Sequence, residues 1–127
     1  VGAARLFGQE LRVWSERDAL KSELVRAVAR SGSGAMYFAS SAGVAEYHKG
    51  VWTYPRGLGG ASHDVAAGPR GALWVATERG LLLYSGGKLR RIDSRRGLID
   101  DEQLNVAVDH LGRVWSRGPA SLTVVTP

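Results

Sequence analysis

"GALWVATERGLLLY", residues 71–84, sets a tryptophan among small and branched apolar residues, breaks at Glu-Arg-Gly and resumes as a second apolar run. Successive side chains of a strand point to opposite faces. Alternation therefore sends Leu73 and Val75 to one side and Ala72, Trp74 and Ala76 to the other. Both sides are apolar, so a strand here must be covered on both faces. The glycine at the break supplies the positive φ that a tight hairpin requires.

The same pattern recurs along the chain. Tyr37 and Trp115 hold the place of Trp74 in "GAMYFASSAGVAEY" (34–47) and "GRVWSRGPASLTVV" (112–125), which makes the aromatic-to-aromatic steps 37 and 41 residues. Gly34, Gly71 and Gly112 stand before the three aromatics, and Val28-Ala29, Val65-Ala66 and Val106-Ala107 lie further upstream, beyond them Leu20, Leu58 and Leu98. Gly43 with Gly80, and Tyr47 with Tyr84, match downstream, whereas the third copy has Ser121 and Val125. A period near 40 residues is the signature of a repeat architecture.

Each unit reads as four short extended runs, in the best copy 64–67, 72–77, 81–85 and 88–93. "ELRVWS", at 10–15, aligns with the fourth runs at 50–54 and 89–93, and the last unit ends with its third run at 121–125, for twelve strands in all. Only "ERDALKSEL", at 16–24, could make a helical turn, and the flanking units make it a loop. Four-stranded antiparallel sheets, covered on both sides and repeated, are what propeller blades require. The expected fold is all-β, with about three blades in a single segment, 1–127: outer strand(s) of a preceding or closing blade in 1–23, blades at 24–57 and 58–97, and an incomplete blade at 98–127. Rings need about four to eight blades, so the expectation is required association, through further blades of a longer chain or through self-association into a ring such as a six-bladed dimer.

On these residues the chain resembles the two-component regulator propeller repeat, whose core runs roughly G-x-L-W-[IV]-G-T-x-x-G-[IL]-x-x-[FY]. The match is best over 58–98. Ala76 stands where that family usually has Gly, Tyr37 replaces Trp in the first copy, and "SRGPAS" replaces the usual turn in the third. The resemblance implies a non-catalytic binding or assembly module of a bacterial sensor, in a periplasmic or other extracytoplasmic location. Localisation is otherwise undetermined by the residues themselves.

Composition is compatible with one folded domain: 127 residues, 44% hydrophobic and 23% charged, with Gly 17 and Pro 4. The chain opens at Val1 rather than Met, which fits a processed or excised piece. Zero Cys excludes disulfides and thiolate metal sites. No apolar run approaches the roughly 18 residues of a membrane span, so no membrane insertion is expected. The net charge of +5 invites a nucleic-acid reading, but fourteen Arg are scattered and only Arg90-Arg91 and Arg95-Arg96 are adjacent. Binding through those pairs is the disfavoured alternative, since a phosphate groove requires clustering.

No phosphate loop, nucleophile elbow or zinc-protease motif is present. By repeat position His48 and His110 fall at one rim and His63 at the other, so the three histidines form no common metal site, and no metal or cofactor is assigned. The rim of His63 gathers the candidate ligand or partner residues Arg17, Arg56, His63, Glu78, Arg79, Arg95, Arg96, Asp100, Asp101 and Arg117. Their mixed charge suits recognition of a protein partner or a small molecule. "LIDDEQ", 98–103, could attract a cation, but solvent is the favoured reading, since short acidic loops are common. Tyr37, Trp74 and Trp115 are expected to pack between blades. Trp14 and Trp52, on outer strands, are expected to cover a blade edge or form a peripheral contact. An enzymatic alternative rests on similarity of the Gly-x-Leu-Trp units to those of streptogramin lyases, with His63 and Glu78 and arginines of the same rim as its candidates.

Overall fold

The structure, a computed structural model, describes residues 2–6, 8–13 and 24–127. Its strands are β1 (Gly2–Leu6), β2 (Gln9–Val13), β3 (Val25–Arg30), β4 (Met36–Ser40), β5 (Gly43–His48), β6 (Val51–Thr53) and β7 (Ser62–Ala67). They continue as β8 (Leu73–Thr77), β9 (Gly80–Ser85), β10 (Lys88–Ile92), β11 (Asn105–Val108), β12 (Val114–Arg117) and β13 (Leu122–Val125). Two single turns of 3-10 helix, Pro69–Gly71 and Ser94–Arg96, are the helical elements among the described residues. No helix there is long and apolar enough to cross a membrane.

The fold is all-β. Three antiparallel sheets follow one another as β3-β4-β5-β6, β7-β8-β9-β10 and β11-β12-β13, with β1 and β2 forming a separate hairpin. The described residues hold thirteen strands, one more than the twelve read from the sequence: β2 begins at Gln9, and β1, which carries no feature of the repeat, pairs with it from Gly2↔Val13 to Leu6↔Gln9. Trp14, Arg17, Asp18, Leu20 and most of the expected loop at 16–24 lie outside the described residues.

Within each of the three sheets the strands are sequential neighbours, because short Gly-containing turns leave only hairpin connections open. Gly43 and Gly80 open the third strands with φ of 109° and 127°. A side chain there would also collide with backbone: at Gly43 with the Leu58 carbonyl, and at Gly80 with the Ile92 carbonyl oxygen at 2.5 Å. This close approach accounts for the repeated glycine, and Val44 N–H donates to that same Leu58 carbonyl at 2.9 Å.

All five residues of β8 are buried. Leu73 and Val75 join Ala39 and Val44 of the first sheet in one core cluster, which also holds Leu58, Val65 and Leu82. Trp74 and Ala76 face the other way, into a second cluster with Leu81, Val106 and Val114. The central sheet is thus packed on both faces, as its alternation requires. The first strand β7 adjoins β3 on one side and β11 on the other, while β6 and β10 lie at the opposite edges of their sheets, so the sheets fan outward without closing a ring.

Polar bonds tie the fan together. Ser62 Oγ donates to the Ser40 carbonyl at 3.2 Å and accepts from Ser40 N–H at 3.0 Å. Asp64 Oδ2 accepts from Val106 N–H at 2.9 Å, and Gln103 N–H donates to the Thr77 carbonyl at 2.8 Å. Gln103 is fully buried, its side chain donating to the Asp100 carbonyl and accepting from Ser116 Oγ. Buried polar groups are tolerated because they are paired in this way.

Candidate functional site

The β4–β5 and β8–β9 turns and the connections into β7 and β11 gather at one end of the sheets. In the β8–β9 turn, Thr77 Oγ1 donates to the Gly80 carbonyl at 2.8 Å and accepts from Arg79 N–H at 3.1 Å. That turn holds Glu78 and Arg79 outward, both exposed. Beneath them a cavity of about 310 Å³ opens between the first two large sheets. Val44, Leu58, Val75 and Leu82 form its apolar floor, while Glu78, Arg79 and Arg91 supply charge.

A second feature stands beside it. Register shifts at Val25/Ala27 in β3 and at Ser62/Asp64 in β7 bulge out Arg26 and His63 at matching places in their strands. Bulges re-aim the side chains they carry. Arg26 Nη1 donates to His63 Nδ1 at 3.1 Å and lies 3.4 Å from the Ser62 carbonyl. On the other side of the ring, His63 Nε2 lies 3.6 Å from Glu102 Oε2. Ligand atoms of His63, Glu78 and Glu102 all fall within 4.8 Å of one another. Nε2 is enclosed and has no hydrogen-bond partner.

The other rim residues are dispersed. Asp100 Oδ2 accepts from Ser121 Oγ at 2.6 Å and from Ala120 N–H at 2.9 Å, and these bonds, Ser121 foremost, hold its carboxyl below the usual range. Asp101 Oδ1 accepts from Ser94 N–H at 2.8 Å, and Arg117 donates twice to Asn105 Oδ1. Arg95 and Arg96 lie exposed in the Ser94–Arg96 turn, and Arg56 is exposed before β7. His48 ends β5 and His110 lies in the β11–β12 turn, at the far end of the sheets from His63.

The aromatic residues occupy different settings. Trp74 is 8% exposed, and Tyr37 is half-buried against the first core cluster. Trp115 is half-buried, its Nε1–H donating to Asp109 Oδ2 at 3.0 Å, and it lines a shallow hollow with Asp64, Asn105 and Leu122. Trp52 packs against Phe38 and Tyr47 with ring centroids 5.4 and 4.9 Å away.

Arg26 and Arg91 are not among the residues singled out for this rim. Arg26 was within reach of sequence reasoning, since it precedes His63 by 37 residues, one full repeat step. Glu102 belongs to the acidic loop considered for cation binding, but nothing in its neighbours along the chain pairs it with His63.

No family model and no curated protein matches the chain. Solved structures do. The chain is similar to the extracellular domain of the hybrid two-component system BT3049 from B. thetaiotaomicron, with a TM-score of 0.75 and 17% identity over 91% of this chain and 17% of that one. It is also similar to PorZ, an essential bacterial surface component of the type-IX secretion system of Porphyromonas gingivalis, with a TM-score of 0.73 and 16% identity over 92% of this chain and 20% of that one. At these identities the likeness is one of fold, and the chain spans a fifth or less of either structure's length.

Proposed function

We propose that the chain is a run of propeller blades, at 24–57, 58–97 and 98–127 with outer strands of a further blade in 1–23, within an extracytoplasmic sensor or protein-interaction module that binds rather than catalyses. The observation that carries this reading is the central sheet, covered on both faces by its neighbours while β7 adjoins both β3 and β11. That is how blades stack around an axis. The two similar structures, a sensor's extracellular domain and a surface component, support the location and the class of role.

The outer sheets argue for association. Val25 and Val28 of β3 are 42% and 57% exposed, and Leu122 and Val124 of β13 are 67% and 41% exposed. Apolar surface of this kind is usually covered by a partner. Further blades or a second copy would cover it, leaving the rim with His63, Glu78 and Arg79 to meet the ligand or partner.

Light scattering of the purified 127-residue chain over a dilution series tests the reading. A discrete assembly that survives dilution, or a polydisperse aggregate rescued by adding flanking blades, is the expected result. A well-behaved monomer at every concentration would overturn the requirement for association.

A further inference from the structure

We infer that His63, Glu78 and Glu102 form a binding site for a divalent transition metal of the zinc class. The inference goes beyond the proposed binding role and stands independently of blade count.

Three separate segments supply the donors: the bulge of β7, the β8–β9 turn, and the connection into β11. One nitrogen and two carboxylates make a set suited to zinc or a similar ion, and less suited to calcium, which takes oxygen ligands. Bonds of roughly 2.0–2.2 Å in a tetrahedral array would place donors about 3.4 Å apart. The His63–Glu102 separation of 3.6 Å already meets that spacing, and the whole set lies within 4.8 Å, so a small closing movement of the exposed Glu78 completes it. The second observation is the ring nitrogen itself. His63 Nε2 is shut off from solvent and lacks a hydrogen-bond partner while facing a carboxylate, a state that costs free energy unless something fills it.

Arg26 acts as a brake. Because it donates to Nδ1, the neutral ring carries its proton on Nε2. Ligation through Nε2 requires that proton to move to Nδ1, so the net proton count is unchanged but the Arg26 bond must break. The guanidinium keeps the Ser62 carbonyl as an alternative acceptor. Three protein ligands leave at least one coordination position open, and Glu78 also borders the cavity of about 310 Å³.

The test is calorimetric titration of the full chain with Zn2+, together with the visible spectrum of the Co2+ form. One ion per chain is expected, with tetrahedral Co2+ bands. His63→Ala should abolish binding, Glu102→Gln and Glu78→Gln should each weaken it by about tenfold or more, and Arg26→Met should tighten it by about tenfold. His48→Ala and His110→Ala should bind as the parent does. Circular dichroism identifies any variant that fails to fold, and the two Gln variants, at solvent-accessible positions, keep the inference open to refutation if His63→Ala is lost. Binding that survives in His63→Ala or in both Gln variants, or no heat and no Co2+ bands at millimolar metal, would overturn it.

Discussion

Arg26 Nη1 donates to His63 Nδ1 at 3.1 Å, and the two residues stand 37 positions apart, the interval that also separates Tyr37 from Trp74. Corresponding positions of β3 and β7 thus touch, because the two strands lie side by side and both carry a bulge at the same place. One bulge on its own would only redirect a side chain. Two in register bring a cation against an imidazole.

The glycine that opens the third strand of the central sheet should resist replacement. Gly80→Ala must adopt a φ of 127° and push its methyl against the Ile92 carbonyl, whereas Gly86, with φ of 58°, has open space around it. Urea denaturation should show Gly80→Ala destabilised by about 2 kcal/mol or more, well beyond Gly86→Ala. Equal effects would mean that conformational strain alone, without the close approach, governs both sites.

Trp74 is the large aromatic of the second core cluster. Trp74→Ala should cost about 3–5 kcal/mol, the range for a buried aromatic. Trp115→Ala, at a half-buried position, should cost clearly less. Parity between them in thermal or chemical denaturation would show that the third sheet is covered in solution.

Asp109 makes stability depend on acid. Its carboxylate accepts from Trp115 Nε1, from Arg113 N–H and Nε, and from Leu111 N–H. These bonds, that from Trp115 first, hold its carboxyl far below the ordinary 3.8. A depressed native value means that the unfolded chain binds the proton more readily, so the contribution is complete above the ordinary value and is lost as pH falls below it. Stability followed from pH 6 to pH 2 should decline less steeply in Asp109→Asn than in the parent chain. Parallel profiles would assign the acid sensitivity elsewhere, Asp100 being the next candidate.

Tyr37 makes the corresponding prediction in alkali. Burial, and then the Glu46 carboxylate that accepts its hydroxyl, push its pKa from 10.0 to about 12. The native state keeps the proton longer than the unfolded state, so this stabilisation is present below 10.0 and falls away as pH rises to about 12. Tyr37→Phe should flatten the loss of stability in that window. An unchanged profile would show that the hydroxyl is not buried in solution.

The central strand was the most legible element. Its two apolar faces could be assigned from alternation alone, because the period of two is a property of the extended backbone. The glycines at 43 and 80 were legible as a repeat, but the carbonyls that exclude a side chain there were not. Strand β1 escaped notice because it lacks the aromatic and glycine marks of the other units. The separate fates within the acidic loop were not legible: Asp100 and Asp101 are taken up by Ser121, Ala120 and Ser94, and Glu102 turns to His63.

The amino-acid order by itself determined the all-β class, the 37- and 41-residue steps between aromatics and the need to cover the central sheet on both faces. These follow from turn stereochemistry and side-chain alternation, which act over a few residues. Repeat position put His63 and Glu78 on one rim; tertiary structure alone decided that Arg26 bonds the His63 ring and that the ligand atoms of His63, Glu78 and Glu102 converge, that Asp64 reaches Val106 N–H, and that Leu58 closes the first cluster. Those outcomes depend on how the sheets are angled and spaced when they pack. That geometry arises from the summed shapes of two core clusters, and no local stretch of the chain encodes it.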